Sequence, residues 1–174
     1  EAGFNRISIG IQSFHDEDLR QMGRRHNAIQ SMQAVSLAHN CGFSDIGIDL
    51  IYGLPWSTEH SFEKSLDIVK DLPIQHLSAY HLTIEKGTEF HKLRESGKLV
   101  EVDDSRSFRE YEMLCRYVAK MGMQHYEVSN FCLPGHESKH NSSYWNGAPY
   151  LGLGPGSHSF DVIKRRWNKS DLSL

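Results

Sequence analysis

The chain has 174 residues, 39% of them hydrophobic and 10% aromatic, which suits a packed core and excludes an intrinsically disordered chain. Nineteen basic residues against 22 acidic ones leave a formal charge of −3, which argues against nucleic-acid binding through a broad basic field. No run of 18 apolar residues occurs, so no membrane span is expected.

The chain opens without Met, and Glu1-Ala2-Gly3-Phe4 runs straight into a strand-like segment, with nothing that reads as a signal or transit peptide. Together with an ending that looks mid-domain, this reads as a segment of a longer chain. From Asn5 to Ser13, Ile7, Ile9 and Ile11 alternate with Ser8, Gly10 and Gln12, a period of two that predicts a strand. Asn27 is placed to cap a helix in which Ala34, Leu37, Ala38 and Cys41 share one face, with Gly42 just past its end. A second strand is predicted from Asp45 to Gly53. Ser57 or Thr58 then caps a helix with Phe62, Leu66 and Val69 on one side, stopped by Pro73.

A third strand is predicted from His76 to Ile84. Strand starts roughly 30 to 40 residues apart are the spacing of βα units with parallel strands. After Glu85-Lys86-Gly87 the rhythm changes. A short helix over 88–96 is followed by a longer one capped by Asp104 or Ser105, with Phe108, Tyr111, Cys115 and Val118 on its apolar side. A fourth strand covers 124–130, and 133–145 reads as a polar loop. The run Gly152-Leu153-Gly154-Pro155-Gly156 lacks the Lys-Ser/Thr of a phosphate-binding loop. The basic stretch Lys164-Arg165-Arg166, with Lys169, reads as a solvated strand end.

Cys41, Cys115 and Cys132 are odd in number, widely spaced and without a C-x-x-C pair, so neither a disulfide framework nor a cysteine metal site is expected. All three are read as buried thiols, and a reducing cytoplasmic setting suits them.

The alternation also predicts a polar sheet face. Strands of a parallel sheet are normally apolar on both sides, yet Ser8, Gly10 and Gln12, then Gly47 and Asp49, then Thr83 put small and polar residues where Ile is expected. Asp49 stands inside the run Ile48-Asp49-Leu50-Ile51, and a carboxylate there needs donors. It either pairs with Arg6 or Arg24 to hold the sheet together, or belongs to a polar interior that receives a ligand. Gln12, near the C-terminal end of its strand, lies where α/β barrels and open sheets bind ligands. A barrel hydrolase or aldolase using Asp49 and His81 is the competing reading, but no lysine lies on the polar strand faces to form a Schiff base.

Several motifs in register carry a family likeness. Asn5 to Phe14, Met22-Gly23-Arg24-Arg25-His26 and Ile48-Asp49-Leu50-Ile51-Tyr52-Gly53-Leu54-Pro55 resemble the radical S-adenosylmethionine proteins of the oxygen-independent coproporphyrinogen III oxidase type. Tyr126 to Phe131, His140-Asn141-Ser142-Ser143-Tyr144-Trp145 and Tyr150 to Gly156 continue the match and resemble its haem chaperone branch, the HemW type.

The resemblance implies an α/β fold, a fragment of an incomplete six-unit (βα) TIM-like barrel. Residues 1–86 are then the second half of the radical S-adenosylmethionine barrel, and 87–174 the start of a C-terminal domain. It implies S-adenosylmethionine as cofactor, contacted by Gln12, Arg24, Asp49 and Thr83, and a 4Fe–4S cluster whose C-x3-C-x2-C ligands are not among these three cysteines. It implies haem bound at His140, beside Tyr144 and Trp145, with delivery to haem-acceptor proteins. Coproporphyrinogen III decarboxylation is the alternative activity. A segment without the cluster ligands is expected to be inactive in radical chemistry. The chain also departs from the family, with Trp56-Ser57-Thr58 where Gly-Gln-Thr often follows Gly-Leu-Pro.

Overall fold

A computed structural model describes residues 3–171. In chain order these form β1 (Arg6–Gln12), α1 (Asp16–Gln21), α2 (Ala28–Asn40), β2 (Asp45–Tyr52), α3 (Glu59–Lys70) and β3 (His76–His81). There follow α4 (Glu89–Glu95), α5 (Asp104–Lys120), β4 (Gln124–Glu127), β5 (Asn130–Cys132), α6 (Lys139–Trp145), β6 (His158–Phe160) and β7 (Arg165–Trp167). The chain divides into two compact units, 1–136 and 137–174. The boundary expected at 86/87 falls inside the first unit, because α5, β4 and β5 pack onto the sheet that β1 to β3 begin.

The first unit is an α/β layer. β1, β2 and β3 pair in parallel, and the strand order is β1-β2-β3-β5-β4. Register puts Ile7 beside Ile46, and Ile9 beside Ile48, which is beside Leu77. These residues face the helices. There Val35 and Ala38 of α2, Phe62, Leu66 and Val69 of α3, and Leu114 and Val118 of α5 close one core with Phe131. Each fully buried aliphatic side chain contributes about 1.5–3 kcal/mol relative to leaving it in water.

Helix ends follow their sequence signals. Asn27 caps α2 in a capping box with Gln30, the two bonds at 2.9 and 3.0 Å, and Gly42 beyond its end takes φ +88°. Thr58 caps α3, its hydroxyl accepting the Ser61 N–H at 3.1 Å.

Several expectations are corrected. The buried face of α2 is Ser31, Val35 and Ala38, while Leu37 and Cys41 are exposed. The α2 sequence is weakly amphipathic, so packing against the sheet selects the phase. Asp103 caps α5, accepting the Arg106 N–H at 2.7 Å. The buried line of that helix is Glu110, Leu114 and Val118, with Tyr111 and Cys115 at its margin and Phe108 61% exposed. The fourth strand is two, β4 and β5, forming a hairpin, and β5 runs antiparallel to β3. Residues 139–145 are helix α6 because Ser138 caps it, accepting the Asn141 N–H at 3.3 Å. Of the cysteines only Cys132 is buried. Cys115 is half-buried and Cys41 exposed.

The second unit holds α6 and the antiparallel β6–β7 ribbon, to which Tyr150 adds a bridge at Phe160. No helix among the described residues is long and apolar enough to cross a membrane.

Candidate functional site

The sheet face away from the helices carries the candidate site. Register sets Ser8 beside Gly47 and Gly47 beside His76, then Asp49 beside Ser78 and Ile51 beside Tyr80. Since the alternate residues Ile46, Ile48 and Leu50 are buried under the helices, Asp49 points to the opposite, open side. The Ser8 hydroxyl donates to Asp49 Oδ1 at 3.3 Å.

Gln12 reaches the same spot by an irregularity. The β1–β2 register slips between Ile9 and Gln12, and Gln12 takes φ +75°, the left-handed region that a non-glycine residue seldom occupies. Its amide folds back over Gly10. A Cβ on Gly10 would lie 2.8 Å from Gln12 Nε2 and 3.9 Å from Asp49 Oδ2. A side chain at Gly10 would therefore push the Gln12 amide aside, and the amide and the carboxylate converge above it. Backbone strain held by surrounding structure is characteristic of sites that position a side chain.

The loops beyond the strand ends are pinned by buried polar contacts. Asp18 Oδ2 accepts the hydroxyls of Ser13 at 2.9 Å and Ser57 at 3.1 Å, and Ser65 Oγ accepts the Phe14 N–H at 3.2 Å. At the end of β2, Glu110 Oε2 accepts the Gly53 N–H at 2.7 Å, while Glu110 Oε1 accepts Arg106 Nε at 2.9 Å. Arg106 Nη2 also donates to the Leu54 carbonyl at 3.1 Å. A void of about 10 Å³, room for one water, lies among these groups. Sequence reading missed this clasp, although Arg106 and Glu110 stand at the i,i+4 spacing of a helical ion pair.

The remaining expected residues fall elsewhere. Arg24 is exposed in the turn after α1, its N–H donating to the Leu19 carbonyl at 2.8 Å, and no ion pair joins it to Asp49 among the described residues. The structural pairing weighed for Asp49 is absent on the Arg6 side too, since Arg6 pairs with Asp45 at 3.0 Å. Thr83 does not share a face with Gln12 and Asp49. β3 ends at His81, the row of Asp49 continues through Ser78 and Tyr80, and Thr83 is exposed beyond the strand.

His140 lies in the second unit, exposed on α6. The Tyr144 hydroxyl sits 3.2 Å from His140 Nε2, and the two rings stand edge to face at 5.0 Å. Tyr144 meets Tyr150 the same way at 4.9 Å, which extends the aromatic wall.

Residues 1–69 match the radical SAM superfamily. The chain is 35% identical over 167 residues to a protein of Mycobacterium tuberculosis named heme chaperone HemW, covering 96% of this chain and 43% of that one. It is 36% identical over 160 residues to heme chaperone HemW of Bacillus subtilis, covering 92% of this chain and 42% of that one. The chain thus spans about two fifths of the length of these relatives. Among solved structures, coproporphyrinogen III oxidase (HemN) from Escherichia coli, a radical SAM enzyme, superposes with a TM-score of 0.77 at 22% identity. That superposition covers 98% of this chain and 42% of the other, and it supports the half-barrel reading of the fold.

The open face suits an adenosyl ligand: an acceptor carboxylate, an amide able to donate and accept, and a glycine floor. The chain's own residues do not suit a 4Fe–4S cluster, because no group of three His, Cys, Asp or Glu side chains converges among the described residues.

Proposed function

We propose that this chain is the adenosyl-binding half-barrel and the haem-holding segment of a radical S-adenosylmethionine haem chaperone. The observation that carries the reading is the convergence of Gln12 and Asp49 over Gly10, at the cost of a left-handed Gln12. Asp49, already an acceptor for Ser8, takes the paired hydroxyls of a ribose. Gln12 offers one donor and one acceptor to the adenosyl polar edge. Arg24, exposed beyond the same strand end, meets the amino-acid carboxylate through its planar fork. Thr83 has no part in this arrangement. S-adenosylmethionine, with a cluster held outside this chain's cysteines, supplies the radical chemistry of the superfamily. Haem is the cargo, and His140 is its ligand once the imidazole leaves the Tyr144 hydroxyl. The relatives' names support the chaperone reading, while the likeness to the oxidase is one of fold.

The test uses the full-length protein with its cluster reconstituted. Asp49→Asn, Gln12→Ala and Gly10→Ala each weaken S-adenosylmethionine binding by about 1–3 kcal/mol in calorimetry, the range for losing a buried polar partner. Haem gives a Soret band that His140→Ala abolishes, and coproporphyrinogen III is not decarboxylated. Unchanged S-adenosylmethionine affinity in all three variants overturns the site, and anaerobic turnover to protoporphyrinogen overturns the chaperone assignment.

A further inference from the structure

The second unit exposes Tyr144, Leu151, Val162, Ile163 and Trp167 within a short stretch of chain. Scattered exposed apolar residues are ordinary, but this density in so small a unit marks a surface that takes a ligand. An open pocket of about 440 Å³ is lined by His140, Tyr144, Tyr150, His158 and Arg165, among others. That volume is within the range of small-molecule sites.

The lining has a definite chemistry. One wall is aromatic, with Tyr144 and Tyr150 edge to face at 4.9 Å. Two histidines line the space, His140 from α6 and His158 from β6. Arg165 of β7 also lines it, and no Asp or Glu does among the described residues. Arg165 forms no ion pair among the described residues, whereas its neighbour Arg166 is held by Asp161 at 2.8 Å. An anion entering here meets a cation and no like charge. The set matches a flat, iron-bearing, carboxylate-bearing macrocycle better than a phosphate or a sugar. Two imidazoles suit a metal centre, aromatic rings suit a planar face, and a guanidinium fork suits a carboxylate.

We infer that Arg165 and His158 complete the haem pocket, Arg165 pairing with a propionate carboxylate and His158 supplying a second imidazole to the iron. This rests on the haem reading of His140. Arg165 selects for the free acid, and His158 sets the ligation state of the bound iron.

The test compares ferric haem with its dimethyl ester on the full-length protein. The ester binds about tenfold more weakly than the acid, the order expected for one charge-assisted hydrogen bond. Arg165→Gln lowers acid affinity by the same factor and leaves the ester unchanged, and Arg165→Lys recovers part of the loss. His158→Gln converts a low-spin ferric spectrum to a high-spin one. Equal binding of acid and ester to the native protein overturns the role of Arg165 without relying on any variant's folding. An unaltered spin state in His158→Gln overturns the role of His158. If His140→Ala releases haem while Arg165→Gln and His158→Gln leave haem affinity and spin state unaltered, this inference fails while the haem reading stands. If the native protein takes up neither porphyrin, both fail.

Discussion

Replacing Glu110 by Met tests the clasp between α5 and the end of β2. Glu110 is 1% exposed and accepts two donors, the Gly53 N–H at 2.7 Å and Arg106 Nε at 2.9 Å. The Met side chain nearly fills the volume, so the loss is electrostatic rather than a cavity. It strands a largely buried guanidinium and a buried backbone N–H. Breaking a buried ion pair on one side costs about 3–5 kcal/mol. In a domain of this size that lowers the melting temperature by roughly 6–20 °C. Urea unfolding should show the midpoint falling at constant slope. In the double variant Arg106→Met/Glu110→Met the stranded charge is gone, leaving about 1–3 kcal/mol for the unpaired Gly53 N–H. The cycle is then strongly non-additive. A single-variant loss under about 1 kcal/mol, or additive single effects, refutes the reasoning, because a buried carboxylate with these partners cannot be removed so cheaply.

Acid should destabilise the protein through His76. Burial, then the nearby Arg6 guanidinium, holds its pKa at about 4, below the ordinary 6.5, against the smaller opposing effects of Asp45 and Glu127. The imidazole is also 2.8 Å from the Tyr126 hydroxyl. A depressed histidine pKa means the unfolded chain binds the proton first as pH falls below 6.5. Stability is therefore full above that pH and is lost down to pH 4, by about 3 kcal/mol in total. Urea midpoints across this window should fall more steeply in the native protein than in His76→Gln, and parallel curves would contradict the assignment. The cysteines give a simpler check. Under native conditions a maleimide should modify Cys41 fast, Cys115 slowly and Cys132 only after unfolding, and early labelling of Cys132 would contradict its burial.

The elements of the parallel sheet were legible because strand signals are local. Alternating isoleucines, spaced caps and glycines after helix ends give β1, β2, α2 and α3 close to their observed limits. The polar face was legible for the same reason, since a period of two assigns Ser8, Gly10 and Asp49 to one side whatever lies above them. What required the folded chain is long-range. The slip that turns Gln12 over Gly10 depends on its pairing with Leu50, and no propensity predicts a left-handed glutamine. Burial of Glu110, rather than Phe108, follows from α5 being pulled toward the Gly53 N–H and the Leu54 carbonyl, groups more than 50 residues away in the chain. The antiparallel entry of β5 beside β3, and the pocket that brings Arg165 near His140, arise from turns with weak local signals. Local periodicity thus decided which residues of β1 and β2 face together, while tertiary packing chose the buried faces of α2 and α5 and decided which distant residues meet, because contact between distant segments is a property of the closed chain alone.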